Sequence, residues 1–193
     1  MELFVGALIV AVILIAYAWY VVLIRRRNRA LEALSSIDVQ LRKRHDLLPN
    51  ILKLAQSFMS HERDLLTRVT ELRNEARKTY DASNPEAVRQ HLEAEGKLQS
   101  GMRQLFALAE NYPELRSSQT VLEAQQSFAS VEGHIAAARR FYNSAVTELN
   151  NAVQIFPGSL IARQVGVRPL PFFELEDAHL REPVDAGDYL AVH

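Results

Sequence analysis

Cysteine is absent from this 193-residue sequence. That excludes a disulfide framework, thiolate metal sites, thiol nucleophiles and attachment of lipid through a lipobox cysteine. Glycine and proline are scarce, at seven each, and the prolines fall at intervals, as hard stops between long helices do. An excess of one charge is also missing. Lys and Arg number 22 against 23 Asp and Glu, for a net charge of -1, and beyond residue 24 the two signs balance, so nucleic acid is not an expected partner. The glycines are isolated, with no Gly-x-Ser-x-Gly, phosphate-binding loop or dinucleotide fingerprint. His61-Glu62 is followed by Leu65 where a zincin needs its second histidine, and residues 25–156, which carry the helical pattern, contain no Glu-x-x-His step to build a di-metal bundle site. The expectation is a non-enzyme, with no catalytic residue, no metal site and no cofactor.

What the sequence does contain begins with an uncharged run from Leu3 to Ile24, about 33 Å long as a helix and matched to a bilayer core. Tyr17, Trp19 and Tyr20 sit near its end, where amphipathic rings favour the membrane interface, and Arg25, Arg26, Arg27 and Arg29 follow. Ala16-Tyr17-Ala18 resembles a signal-peptide cleavage site, but the preceding residues carry Glu2 and no basic residue. Residues 1–24 therefore read as an uncleaved single-pass anchor. Its N-terminus is expected outside and the following domain in the cytoplasm, by the excess of positive charge on the inner side, with membrane lipid as a partner.

Residues 25–156 read as a bundle of long helices, all-α and antiparallel. The first helix is expected from Arg25 to about Tyr80 with a bend at Pro49, which removes an N–H and crowds the carbonyl of His45. Asn84 reads as the N-cap of a second helix, Pro85 to Glu110. A third is expected from Ser118 to Phe156, with Thr120 to Glu123 as a capping box and a regular seam from Val121 through Phe128, Ile135, Tyr142 and Leu149. Residues 157–193 read as a short helix, Leu160 to Val165, then an extended acidic tail.

Helix lengths raise a question of partners. An antiparallel second helix reaches back along the first only to about residue 54, leaving Leu31, Leu34, Ile37, Leu41 and Leu48 without a sequential neighbour. Either the chain breaks at Pro49 and folds back into a four-helix bundle, or the stripe pairs with a second copy of the chain. The second alternative, a homo-oligomer, is the favoured expectation. Asp38 and His45 lie seven apart on the seam of the first helix, as Glu132 and Arg139 do on the third. They are read as polar groups meeting between helices, for example Asp38 or His45 against Glu132 or Arg139. The triplet Arg42-Lys43-Arg44 reads as a solvated face.

Four stretches resemble the LemA family of bacterial membrane proteins. They are Ile37 to Asn50 (IDVQLRKRHDLLPN), Leu108 to Leu115 (LAENYPEL), Ala138 to Asn143 (ARRFYN) and Phe156-Pro157. Val165 to Glu174 is similar to the family's closing motif, with Val in place of aromatic residues. The resemblance implies an N-terminal anchor in the bacterial inner membrane, an antiparallel bundle and no established catalysis. It also implies two functional associations: family members occur beside membrane metalloproteases of the HtpX type, and a relative takes part in building an internal membrane compartment. Three functions are carried forward: a self-associating scaffold that organises proteins or membrane at the cytoplasmic face, a membrane-shaping oligomeric coat, and an adaptor or regulator of such a protease.

Overall fold

The computed structural model describes residues 1–174, apart from the side chains of Arg116 and Ser117. Six helices follow in order: α1 (Glu2–Phe58), α2 (Arg63–Ala76), α3 (Pro85–Ala109), α4 (Pro113–Ser117), α5 (Gln119–Gln154) and α6 (Gly158–Val165). Among the described residues there is no strand, and the fold is all-α.

α1 carries the apolar run and the first bundle helix without interruption, and Pro49 lies inside it. Because Pro49 has no N–H, the carbonyl of His45 loses its helical donor. Arg73 Nε of α2 supplies one, at 3.2 Å. The helix passes through Pro49, but it does not continue to Tyr80 as expected: α1 ends at Phe58, and the turn through Met59 to Glu62 reverses the chain. No side-chain cap holds this turn at the start of α2. It is fixed from outside, by burial of Met59 and by the Tyr112 hydroxyl, which donates to Glu62 Oε1 at 3.1 Å. The turn before α3 follows local rules. Asp81 Oδ1 accepts from the Ser83 N–H at 2.8 Å, and Asn84 Oδ1 caps α3 by accepting from the Glu86 N–H at 3.0 Å. α5, by contrast, starts at Gln119 behind Ser118 with no side-chain cap, so the Thr120 capping box does not form its N-terminus.

Cross-helix contacts give the topology. Arg29 meets Glu148 and Arg44 meets Glu132, so α5 runs antiparallel to α1. His91 faces Asp38 and Glu95 faces Arg44, so α3 runs parallel to α1. α2 returns antiparallel between them, placing Arg73 at His45. The result is an up-down-up-down four-helix bundle. It forms by a break ten residues beyond Pro49, and it settles the length mismatch within one chain.

The proposed self-association stripe is accordingly not a free surface. Leu34, Ile37, Leu41 and Leu48 are buried, and Leu31 packs at the margin of the same core. The partner expected from a second copy is α5, whose Ile135, Tyr142, Val146 and Leu149 cover the membrane-proximal part of the stripe. α5 is long enough to reach it because its 36 residues span about 54 Å.

After α5 the chain turns sharply through Phe156-Pro157 into α6. An added Cβ on Gly158 would lie 2.1 Å from the Ala152 carbonyl oxygen, so only glycine fits this corner. Gly166, at φ 71°, ends α6 in the left-handed region, and the Val167 N–H bonds back to the Ala162 carbonyl at 3.0 Å. Residues 167–174 then run extended along α5, where two asparagines two helical turns apart hold them. Asn150 exchanges two hydrogen bonds with the Leu170 backbone, both at 2.9 Å, and Asn143 exchanges two with Phe173, at 2.9 and 3.1 Å. The spacing is geometric: seven helical residues rise about 10 Å, as do three extended ones. Leu170 and Phe173 are buried, and the buried Tyr142 hydroxyl donates to the Pro171 carbonyl at 2.8 Å. The closing motif thus docks on its own bundle, with Val167 in the core. The expected acidic tail beyond Glu174 lies outside the described residues. Replacing Asn150 by Leu removes both bonds and leaves two backbone groups short of partners, a loss of about 1–3 kcal/mol. Amide exchange at Leu170 should accelerate by about one to two orders of magnitude, with distal amides such as that of Leu98 unchanged.

Candidate functional site

The bundle has two hydrophobic cores. The membrane-proximal core runs from Leu23 to Leu41 on α1 and includes Val88, Leu92 and Ile135 to Ala152. The distal core begins at Leu48 and includes Leu66, Val69, Leu98, Met102 and Phe128. A layer of charged and polar groups lies between them. Arg44 and Glu95 are 1% and 0% exposed, and His45 is 6% exposed. Arg44 Nη1 donates to Glu132 Oε1 at 3.1 Å, while Nη2 donates to the Glu95 carbonyl at 3.2 Å and also to its Oε2. His45 Nε2 lies 2.7 Å from Glu95 Oε1, and Gln99 Nε2 donates to Glu132 Oε2 at 2.7 Å. One guanidinium thereby joins α1, α3 and α5.

Local sequence puts these groups inward. Ala30, Leu34, Ile37, Leu41, Arg44, Leu48, Ile51 and Ala55 alternate steps of four and three, so Arg44 occupies a core position of α1. Glu95 holds the equivalent place between Leu92 and Leu98 of α3, and Glu132 lies between Phe128 and Ile135 of α5. Arg44 is therefore not part of a solvated basic face, although Arg42 and Lys43 are exposed. The spacing signal was present, and it was masked by the expectation that a basic triplet faces water.

The electrostatics follow from the pairing. Burial desolvates Glu95 and by itself would raise its pKa; the His45 hydrogen bond and the charges of Arg44 and His45 outweigh that and hold it below the ordinary glutamate value. A carboxyl whose folded-state value lies below its unfolded one binds fewer protons when folded. Its contribution is complete above the unfolded value of 4.5 and is lost as pH falls through the folded one. Urea midpoints taken from neutral to acidic pH should fall on that acid limb, and Glu95→Gln should flatten it.

A second polar cluster opens beside the layer. The Tyr80 hydroxyl donates to Asp38 Oδ2 at 2.8 Å, His91 Nε2 lies 3.4 Å from Asp38 Oδ1, and the Tyr80 and His91 rings stack at 4.1 Å between centroids. Burial and the adjacent Asp38 carboxylate push the Tyr80 phenol far above its ordinary pKa, so it serves as a donor and not as a base. These residues line an open cleft of about 550 Å³ together with Arg42, His45, Asp46, Arg77, Lys78 and Glu95. Its three acids and three permanent cations balance, and Asp38 and Glu95 are already engaged across helices. The arrangement ties α1 to α3 and to the α2–α3 connection.

The four polar residues expected to meet are thus separated. Asp38 pairs with Tyr80 and His91, His45 with Glu95, and Glu132 with Arg44 and Gln99. Arg139 sits away from the layer, its guanidinium 6.0 Å from the centroid of the Phe173 ring. Glu95, Tyr80, His91 and Gln99 were not anticipated. Among the described residues, no group of three or more His, Asp or Glu is placed to hold a metal ion.

At the other end of the bundle, Leu3 to Tyr17 are exposed on an isolated stretch of helix long and apolar enough to cross a membrane. Of the residues expected at a membrane interface, Tyr17 and Arg25 are exposed, Tyr20 is 41% exposed, and Trp19 is partly covered by α6. Arg26 Nη1 donates to the Glu148 carbonyl at 3.2 Å, Arg29 pairs with the Glu148 carboxylate at 3.5 Å, and Arg27 borders the turn before α3. Two of the four arginines thus brace α5.

An apolar helix continuing directly into an antiparallel bundle crossed by a buried ionic layer defines a class of membrane-associated helical-bundle proteins. Residues 33–186 match the LemA family, and the chain belongs to it. It is similar to the magnetosome protein MamQ of Magnetospirillum gryphiswaldense, 21% identical over 164 residues. It is similar also to MamQ 2 of Paramagnetospirillum magneticum, 22% identical over 167 residues. Both matches cover 75% of this chain, which spans only 60% of the length of those relatives. Protein LemA of Metamycoplasma hominis is 22% identical over 167 residues, covering 86% of this chain and 73% of its own. None of these names describes an enzyme.

Proposed function

We propose that this chain is a non-enzymatic scaffold that holds a helical bundle against the cytoplasmic face of the bacterial inner membrane and organises proteins or lipid there. The observation that carries the reading is the continuity of α1: its 57 residues include both the apolar segment and the buried seam of the bundle. No linker separates anchor from domain, so the bundle stands at a fixed height and angle. Arg25 to Arg29 support the cytoplasmic orientation by the positive-inside rule.

Self-association remains part of the proposal, but through a surface other than the covered stripe. Full-length protein purified in mild detergent should have a mass exceeding one 21.8 kDa chain plus its micelle, or carry a stable companion. A strict monomer at all concentrations, without a companion, overturns the scaffold reading. A membrane metalloprotease of the HtpX type as that companion would move the reading to an adaptor. The similarity to magnetosome proteins favours a second reading, an oligomeric coat that shapes membrane. Liposomes whose outline under electron microscopy is unchanged after reconstitution would count against it.

A further inference from the structure

Three large apolar side chains stand at the corner between α5 and α6: Ile155, Phe156 and Leu160 are 59%, 74% and 60% exposed. Scattered exposed apolar residues need no explanation, but three within six positions form a patch. Its height along α1 can be read from two independent contacts. Glu148 is level with Arg26 and Arg29, and α5 runs antiparallel to α1, so the seven residues from Glu148 to Ile155 rise about 10 Å toward the anchor. That places the corner beside residues 19–22. The second contact agrees: an added Cβ on Gly158 would lie 3.6 Å from Trp19 Cε3. The apolar run does not end until Ile24, so the corner overlaps its last turn and the ring level of Trp19 and Tyr20, where the membrane interface is expected.

The geometry points to a second membrane contact: the α5–α6 corner inserts Ile155, Phe156 and Leu160 into the lipid interface beside the anchor. The occupant is lipid, because the corner stands beside the apolar helix at the level of Trp19. Exposed Arg25 and Arg163 lie just below and on α6, where headgroup phosphates would meet them. The bundle is then held at two points, by α1 through the bilayer and by the corner in its surface, which fixes its rotation as well as its height. This inference rests on the reading of α1 as a membrane anchor, and the experiment separates the two.

The chain has no native cysteine, so single cysteines at Ile13, Leu122, Phe156 and Leu160 in the full-length protein can each carry a unique spin label. In vesicles of phosphatidylcholine and phosphatidylglycerol, collision with oxygen is compared with collision with a water-soluble nickel chelate. Leu122 is the aqueous reference, since 26 residues of α5 place it about 39 Å below Glu148. Labels at Phe156 and Leu160 should show an oxygen-to-nickel ratio several-fold above that at Leu122, approaching the value at Ile13. Ratios at Phe156 and Leu160 equal to that at Leu122, with Ile13 shielded from nickel, overturn the corner contact and leave the anchor intact. Nickel access at Ile13 overturns both. All four positions are exposed or half-exposed in the fold, so the labels displace no core.

Discussion

Glu95→Ala should destabilise the bundle by about 3–5 kcal/mol, because it leaves the Arg44 guanidinium buried without its main counter-charge. Arg44 is 1% exposed, and Glu132, its other acidic partner, is the more accessible of the two. Arg44 Nη2 is held by the carbonyl and the carboxylate of Glu95, so the substitution takes away one of its two carboxylate partners at the buried end. The midpoint of urea unfolding in detergent measures the loss. The pair Arg44→Met with Glu95→Leu should recover part of it, since apolar packing of similar volume avoids the desolvation of both ions while His45 and Glu132 each lose one partner. A rescued double variant shows that the layer does not exist to add stability. It would then serve as a register device: the one height at which α1, α3 and α5 all satisfy their charges, and a slip of either core past the other would leave those charges unpaired. A Glu95→Ala variant as stable as the parent would remove the layer from any such role.

Leu41→Asp should cost about 4 kcal/mol or more and unfold the membrane-proximal core. Leu41 is 2% exposed and belongs to the cluster that includes Ile37, Tyr142 and Val146. Val39→Asp, on the outer face at 54% exposure, should stay within about 0.5 kcal/mol of the parent. Circular dichroism melting in detergent, with mass measured on the same samples, distinguishes the two accounts of the stripe. Loss of helix at a lower temperature is the expected result. A well-folded Leu41→Asp protein that has only lost subunits would restore the stripe as an interface between copies.

Much of the architecture was legible before any coordinates. The apolar run, the cap at Asn84, the seam of α5 and the stop at Pro157-Gly158 are set by near neighbours in sequence, and each is found within a residue or two of its expected place. Two expectations failed for the same reason. The first helix is expected to run to about Tyr80 with a bend at Pro49; it does pass Pro49, where Arg73 reaches the orphaned carbonyl, but it stops at Phe58. The reversal occurs instead at Met59 to Glu62, where no proline or glycine marks it and where the contact with Tyr112 lies 50 residues away. In the polar layer, the core spacing of Arg44 and Glu95 was visible, but their partnership was not, because nothing local to either residue names a partner 51 positions distant.

The sequence by itself determined that this is an all-α chain in which an apolar helix long enough to span a membrane leads into long amphipathic ones. Those properties follow from hydrophobic length and from the three-four period, which act over one or two turns. Only the tertiary structure decided that the stripe is covered within the chain, that Arg44 bridges α1 to α3 and α5, and that two asparagines hold the closing segment. Each depends on which helix faces which at what height. That is fixed by packing two cores and neutralising the charges between them together, a condition on the whole bundle and on no single stretch of it.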